Sequence, residues 1–338
     1  MIHITKELTL SLSGTSRLIC LKSLERGWKV QTPYLSSPHY FINRGDGREL
    51  HIFSATPPTV SYASAQLVND KYATTVVLGS AGIVQLPVMR LDEQLTQLDE
   101  AMHFIETHGR VVVKPIDGGH GKGITTDVVS RDGLIRAHQY AVENVRASRS
   151  TVIQKQLVAK DLHDIRVAVI AGKVVGAIER VPARVRGDGI HTIAELIEIE
   201  NQQEYRGDPY RAKLARIDTE RARAYLGDRM NDVLAIDEWR SVMAVANYGA
   251  GGELVDVTDD IPGWMRNESI EAAEVLGLDV AGVDYLSSAV MHSTLSRKES
   301  GSVITEVNKC PALQIHDEPT IGKNRHATEA YLDFIATL

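Results

Sequence analysis

A chain of 338 residues, 43% hydrophobic and 24% charged, is long enough for two or three packed lobes and ordinary in make-up for a soluble globular protein. Its net charge of −7 argues against a nucleic-acid binder held by phosphate contacts, and its two cysteines, Cys20 and Cys310, exclude a disulfide framework and suit a reducing cytoplasm. The start of the chain lacks a basic n-region followed by an apolar run, and no apolar stretch nears the ~18 residues of a membrane span, so neither a signal peptide nor a membrane partner is expected. The histidines form no His-Glu-x-x-His and no zinc spacing, and Gly-x-Ser-x-Gly is absent, so zinc and hydrolase readings are weak.

Residues 1–62 alternate short apolar runs with turn signals such as Arg44-Gly-Asp-Gly47 and read as a small α/β lobe. Residues 63–79 have helical periodicity and contain Asp70-Lys71; Gly79 to Pro87 then reads as turn, short strand and stop. Leu95, Leu98, Met102 and Ile105 predict a helix over 92–107, leading to Gly109.

Val111-Val-Val113 predicts a strand with Lys114 at its end and Pro115 as its stop. Glycines 118, 119, 121 and 123 follow. Without a Cβ, such residues let backbone N–H groups turn toward an anion, and a cation ahead of them suits a triphosphate. The spacing is not that of a Walker A loop, since Ile116 and Gly123 stand where Gly and Ser or Thr are needed, and it is not a dinucleotide fingerprint. By itself the loop fits a plain surface turn equally well.

A second helix is predicted over 132–147 and a strand from Val152. Gln154-Lys155-Gln156-Leu157 followed by Asp161 reads as an interlobe connector. Its backbone could meet an adenine edge and its carboxylate the ribose; the alternative is a polar linker. Residues 164–180 alternate as a hairpin around Ala171-Gly172-Lys173, with Arg166 and Arg180 projecting from a largely apolar face. Arginine is the preferred clamp for phosphate or carboxylate, although two surface salt bridges would look the same. The charged stretch 205–230 reads as a solvated helix, and 247–252 as a second glycine-rich turn. A helix over 268–277 precedes a strand carrying Asp284. The next strand, 302–308, places Glu306 and Asn308 on one face. If those strands are neighbours, three hard oxygen ligands converge, a set that suits Mg²⁺. A closing helix is expected from Ala327.

Taken together, the ordered set of Lys71, Lys114, the glycine loop, Gln154 to Leu157 with Asp161, Arg166, Asn247 with Gly251-Gly252, Asp284 and Glu306-x-Asn308 resembles the ATP-grasp carboxylate–amine ligases. Similarity is greatest to the ATP-grasp part of cyanophycin synthetase and of fused bacterial glutathione synthetase. It is carried by Val113-Lys-Pro, Pro182-Ala183 with Gly187 to Thr192, Asp256-Val-Thr-Asp259, and Glu306-Val-Asn308-x-x-Pro311 with His316. Asp164-Ile-Arg166 looks more like the ribosomal-protein glutamate ligase branch.

The resemblance covers about 65–338 and implies an α+β ATP-grasp fold, two lobes gripping ATP, with lobes at 65–158 and 159–338 behind the N-terminal α/β lobe at 1–64. It implies nucleotide contacts at Lys71, Lys114, Gly119, His120, Gly121, Gly123, Gln154, Lys155, Leu157 and Asp161. Arg166, Arg180 and Asn247 fall to the reacting carboxylate. Asp284, Glu306 and Asn308 are the ligands for two Mg²⁺ ions, or Mn²⁺ in their place. The implied activity is ATP-dependent ligation of an amino acid or peptide through an acyl phosphate. A ligase acting on a protein tail and a non-catalytic nucleotide-binding module are the alternatives, and a homo-oligomer is left open. Where relatives read Asn-x-x-Pro-Gly-Leu-Arg-Met-His, this chain has Ala312 and Gln314; Met243 stands where an arginine is common. These departures are expected to lie where substrate does. Within these 338 residues the Mur-ligase-like or glutamate–cysteine-ligase domain of the long relatives is not expected.

Overall fold

The computed structural model describes residues 1–338 apart from 13, 119–121, 146–148, 160, 209–211, 213, 244, 245 and 247. Gly119, His120, Gly121 and Asn247 therefore lie outside the described residues. Three principal sheets organise the rest, and every strand pair within them is antiparallel.

The N-terminal sheet runs Ile2–His3, Lys29–Thr32, His39–Asn43 and Glu49–Phe53 in sequence order. Tyr40, Ile42, Leu50 and Ile52 alternate inward. Short turns rather than crossover helices join most of these strands, so the lobe is antiparallel, more specific than the expected α/β. Its core runs on into Ala327, Tyr331, Leu332 and Ile335 of the closing helix Ala327–Ala336, and into Ile170 and Val280 of the largest sheet.

The predicted 63–79 helix is two helices, Tyr62–Leu67 and Lys71–Ser80. Asp70 caps the second by accepting from the Ala73 N–H, an arrangement that fixes an extended backbone at Asp70 and so breaks the first helix. Pro87 precedes the Val88–Leu91 strand instead of ending one. The helix expected over 92–107 is Leu98–His108, and that expected over 132–147 is Arg131–Val142.

The second sheet orders Val88–Leu91, Thr151–Lys155, Val111–Pro115 and Thr125–Val128. Val111, Val113 and Ile153 pack with Ile105 and Leu134 of its two helices. The strand continues through Pro115, which pairs with Thr151. The ladder to Thr125–Val128 ends at Val113, so one edge is free there and proline is tolerated.

The largest sheet orders Glu253–Asp256, Lys173–Val181, His163–Ile170, Val280–Ser287 and Val303–Asn308. Its central hairpin turns at Ala171 (φ 48°) and Gly172 (φ 70°), the pair of positive φ values a two-residue hairpin turn requires. One face is apolar: Ile165, Val167, Ala177, Ala281, Val283, Tyr285 and Val307 pack with Met265, Ala272 and Ala273 of helix Gly263–Val275 and with Leu78. The other face carries charge. Between the hairpin and the Glu253–Asp256 strand, a smaller unit has its own core of Ala183, Val185, Ile193, Ile197, Ile217, Leu226, Val242 and Met243. Among the described residues the solvated helix expected over 205–230 is confined to Thr219–Leu226, and Gly227 (φ 57°) ends it. Among the described residues no helix is long and apolar enough to cross a membrane.

Candidate functional site

The charged face of the large sheet is set by register. Asp256, Ile178, Arg166, Asp284 and Glu306 stand directly opposite one another across all five strands. Residues so opposed share a face. The next row is Gly176, Ala168, Gly282 and Asn308. The sequence separations, 118 residues from Arg166 to Asp284 and 22 from Asp284 to Glu306, are closed by strand pairing alone.

Arg166 donates from Nε to Asp284 Oδ1 and from Nη2 to Oδ2, both at 2.6 Å. Arg180 adds a bond to Oδ2 at 3.1 Å and pairs with Asp164. The expected apolar face around these arginines is thus a buried ion cluster, and the surface-salt-bridge reading does not hold: Asp284 is 3% exposed. Burial works to raise the Asp284 pKa, but Arg166 and Arg180 outweigh it and hold the carboxyl below its usual range. Burial raises the Asp164 pKa, with Arg180 opposing. Arg180 stays charged, since Asp284 and Asp164 more than offset its desolvation.

Among the described residues the Glu306 carboxylate makes no hydrogen bond or ion pair and the buried Nδ2 of Asn308 has no partner. No cluster of three His, Cys, Asp or Glu side chains is placed to hold a metal among the described residues; the convergent set here is two carboxylates and an amide.

Lys114 approaches from the second sheet. It is buried, and its Nζ donates to Gln154 Oε1 at 2.9 Å. Desolvation pushes its pKa down to about 8, with Lys71 adding to the fall and Glu306 opposing it. Lys71 and Glu306, from two other elements, thus lie within electrostatic range of Lys114. The Lys71 backbone N–H bonds Ile116 O, its Nζ reaches Gly118 O at 2.6 Å, and Lys71 and Glu306 line one crevice. Gly123 adopts φ 74°, and a Cβ there would lie 2.7 Å from Pro115 and 2.8 Å from Asn144, which explains glycine at the loop's base.

Other expected residues are placed less centrally. Lys155 and Asp161 are exposed and Leu157 is half-buried. Gln314, expected where substrate lies, is bonded to the N-terminal lobe: its amide oxygen accepts from Thr15 Oγ1 beside Gly14. Ala312 packs on Ile178, Leu254 and Ile315, and Met243 is buried in the core of the smaller unit. Sequence alone assigns His316 no role. Its ring lies over Gly176, fully buried, with neither nitrogen bonded among the described residues. The missing side chain at Gly176 is the available signal, visible only once the strands are paired.

Residues 87–194 match the ATP-grasp domain of prokaryotic glutathione synthetase. The chain superposes on a bifunctional glutathione synthetase from Pasteurella multocida with a TM-score of 0.71, at 22% identity, over 97% of its own length and 45% of that chain. It has the ATP-grasp fold. This ATP-grasp chain is 35% identical over 277 residues to cyanophycin synthetase of a Synechocystis strain, covering 80% of itself and 30% of that protein. It is 33% identical over 334 residues to cyanophycin synthetase of Trichormus variabilis, covering 96% of itself and 35% of that protein. To the bifunctional glutathione biosynthesis protein of Listeria innocua it is 26% identical over 325 residues, 95% and 41% respectively. The ATP-grasp chain thus spans between 30% and 41% of the length of these curated relatives.

Proposed function

We propose that the chain is an ATP-dependent carboxylate–amine ligase that joins an amino acid or peptide carboxylate to an amine. The observation that carries this is the register that aligns Arg166, Asp284 and Glu306 in one row, with Glu306 sharing a crevice with Lys71. A binding module needs the lysines; a cluster of two arginines and two metal-type carboxylates beside them is what phosphorylation of a carboxylate requires.

In this reading a donor carboxylate oxygen attacks the γ-phosphorus of ATP and ADP leaves. The amine nitrogen then attacks the acyl carbon, loses a proton, and phosphate departs. Lys71 and Lys114 hold the phosphates. Gln154 fixes the Lys114 ammonium through its side-chain oxygen, and the connector at Lys155 and Leu157 receives adenine with Asp161 at the ribose. Arg166 and Arg180 orient the donor carboxylate and offset the oxyanion that develops on it.

The side chains fit Mg²⁺. Asp284, Glu306 and Asn308 supply hard oxygens on one face, and the half-buried Glu306 carboxylate and the Asn308 amide lack other partners among the described residues. Bound there, the ion would supply neutralisation of the triphosphate among these carboxylates. At ~4 Å two unit charges repel by about 4 kcal/mol at an effective dielectric of 20, so four anionic groups need a counter-charge.

The deciding experiment is ADP release across a matrix of amino acids and dipeptides, with product masses. Amine-dependent ADP release with a product mass equal to donor plus acceptor minus water is expected. Nucleotide binding with no turnover on any pair, and none on peptide tails, would leave only a binding module.

A further inference from the structure

The charged face holds polar atoms that its own residues leave idle. Among the described residues, Arg180 Nε, Asn308 Nδ2 and both nitrogens of His316 are buried without a hydrogen-bond partner. Buried polar groups in native proteins are paired almost without exception, so a group of orphans on one face points to partners acquired in another state. In a ligase, two of these three side chains have an evident claimant: an anionic substrate oxygen would accept the Asn308 N–H, and the donor carboxylate the Arg180 Nε–H. His316 has none.

Its placement is specific. The ring occupies the space left by Gly176, where a Cβ would lie 2.8 Å from Nδ1. Gly176 pairs with Ala168, and Ala168 with Gly282, over which the Arg166 stem passes at 3.6 Å from the Cβ position. His316 and Arg166 are therefore diagonal neighbours on the same face. Burial, the Arg166 charge and the absence of any carboxylate bond keep the ring neutral, so one nitrogen is always an acceptor. Among the described residues both Arg166 bonds go to Asp284, the carboxylate that a cation would claim.

We propose that His316 is a positioning residue for Arg166, accepting at a ring nitrogen a guanidinium N–H that Asp284 releases when its carboxylate turns to a bound Mg²⁺. The inference rests on the ligase reading. It makes Arg166 a two-position side chain, held by Asp284 without metal and by His316 with it. Without His316, and until a donor carboxylate is bound, displaced Arg166 is a buried cation lacking an acceptor, and it competes with the ion for Asp284.

The test compares wild type with His316→Leu, which fills the space without an acceptor, and His316→Gln, which keeps one. ADP affinity is measured by calorimetry over a Mg²⁺ series, and thermal melting is recorded without ligand. His316→Leu is expected to melt at or above the wild-type temperature, because the ring nitrogens are idle in the metal-free state. Its Mg²⁺ midpoint for ADP binding should rise about tenfold, the scale for losing a residue that supports a metal ligand. His316→Gln should restore most of that loss. An unchanged midpoint in His316→Leu overturns the proposal, as does a leucine variant that is unfolded or whose shift glutamine does not recover, since each assigns His316 to packing. Wild-type ADP binding that ignores Mg²⁺ would instead overturn the ligase reading itself.

Discussion

Arg166 and Asp284 face each other across neighbouring antiparallel strands and share two 2.6 Å bonds on a buried sheet face. The pair has the planar, two-bond geometry that favours guanidinium over ammonium. It neutralises a carboxylate in the place where, in the proposed function, a cation is to bind.

Replacing Asp284 with Asn should therefore act on stability and on metal dependence together. The change leaves Arg166 without a counter-charge and Arg180 with Asp164 alone. Removing one member of a buried pair costs about 3 kcal/mol. Chemical denaturation without ligand should show a loss of that size, and added Mg²⁺ should no longer raise the melting temperature in the presence of ADP. A variant as stable as wild type would show that the arginines are solvated and the pair contributes little.

Glu306→Gln should separate the two effects. The Glu306 carboxylate makes no hydrogen bond or ion pair among the described residues, so the melting temperature should stay nearly unchanged. Turnover, read as amine-dependent ADP release, should fall by more than ~100-fold, the scale for losing a charge that stabilises a transition state. Raised Mg²⁺ should return part of it. Near wild-type turnover would move the metal away from this strand.

The Lys114 ammonium sets a pH dependence. Its folded pKa, pushed down to about 8, lies below the ordinary lysine value of 10.5, so the folded protein gives up this proton first. Between those values the unfolded chain binds more protons, and this group's contribution to stability rises with pH from about 8 to about 10.5. Nucleotide phosphates favour the ammonium and should draw the proton back. Near the folded pKa of about 8, ADP binding should take up protons, measured as a dependence of the calorimetric heat on buffer ionisation enthalpy. Lys114→Ala should bind ADP more weakly and lose that uptake; an uptake that persists in the folded variant belongs to another group.

Gln314 tests a departure from the relatives. Its amide is bonded to Thr15 and lies 3.3 Å from where a Gly14 Cβ would be. Gln314→Arg, which restores the residue common in relatives, puts an unpaired guanidinium into that space and should cost about 1–3 kcal/mol. KM for the donor and acceptor should not change. A lower KM in the variant would show that position 314 reaches substrate after all.

Much of the molecule is legible in local chemistry alone. The Ala171-Gly172 pair predicts a tight hairpin, and strand periodicity puts Glu306 and Asn308 on one face. The glycines after Lys114 and the order of the motifs are enough to find the ATP-grasp fold, and the closing helix begins at Ala327, the residue from which it is expected.

What pairs with what is decided only by tertiary structure, because side-chain alternation gives a face but no partner. The even-numbered positions of the 164–180 hairpin are the same in any sheet. That Arg166 meets Asp284, and not solvent, depends on Val280–Ser287 docking beside His163–Ile170 in one register. A slip of one residue would bring Arg166 opposite Val283 or Tyr285. For the same reason the neighbours of His316 in sequence do not reveal its place. Its ring lies over Gly176 of one strand and diagonal to Arg166 of the next, and only their packing buries it there.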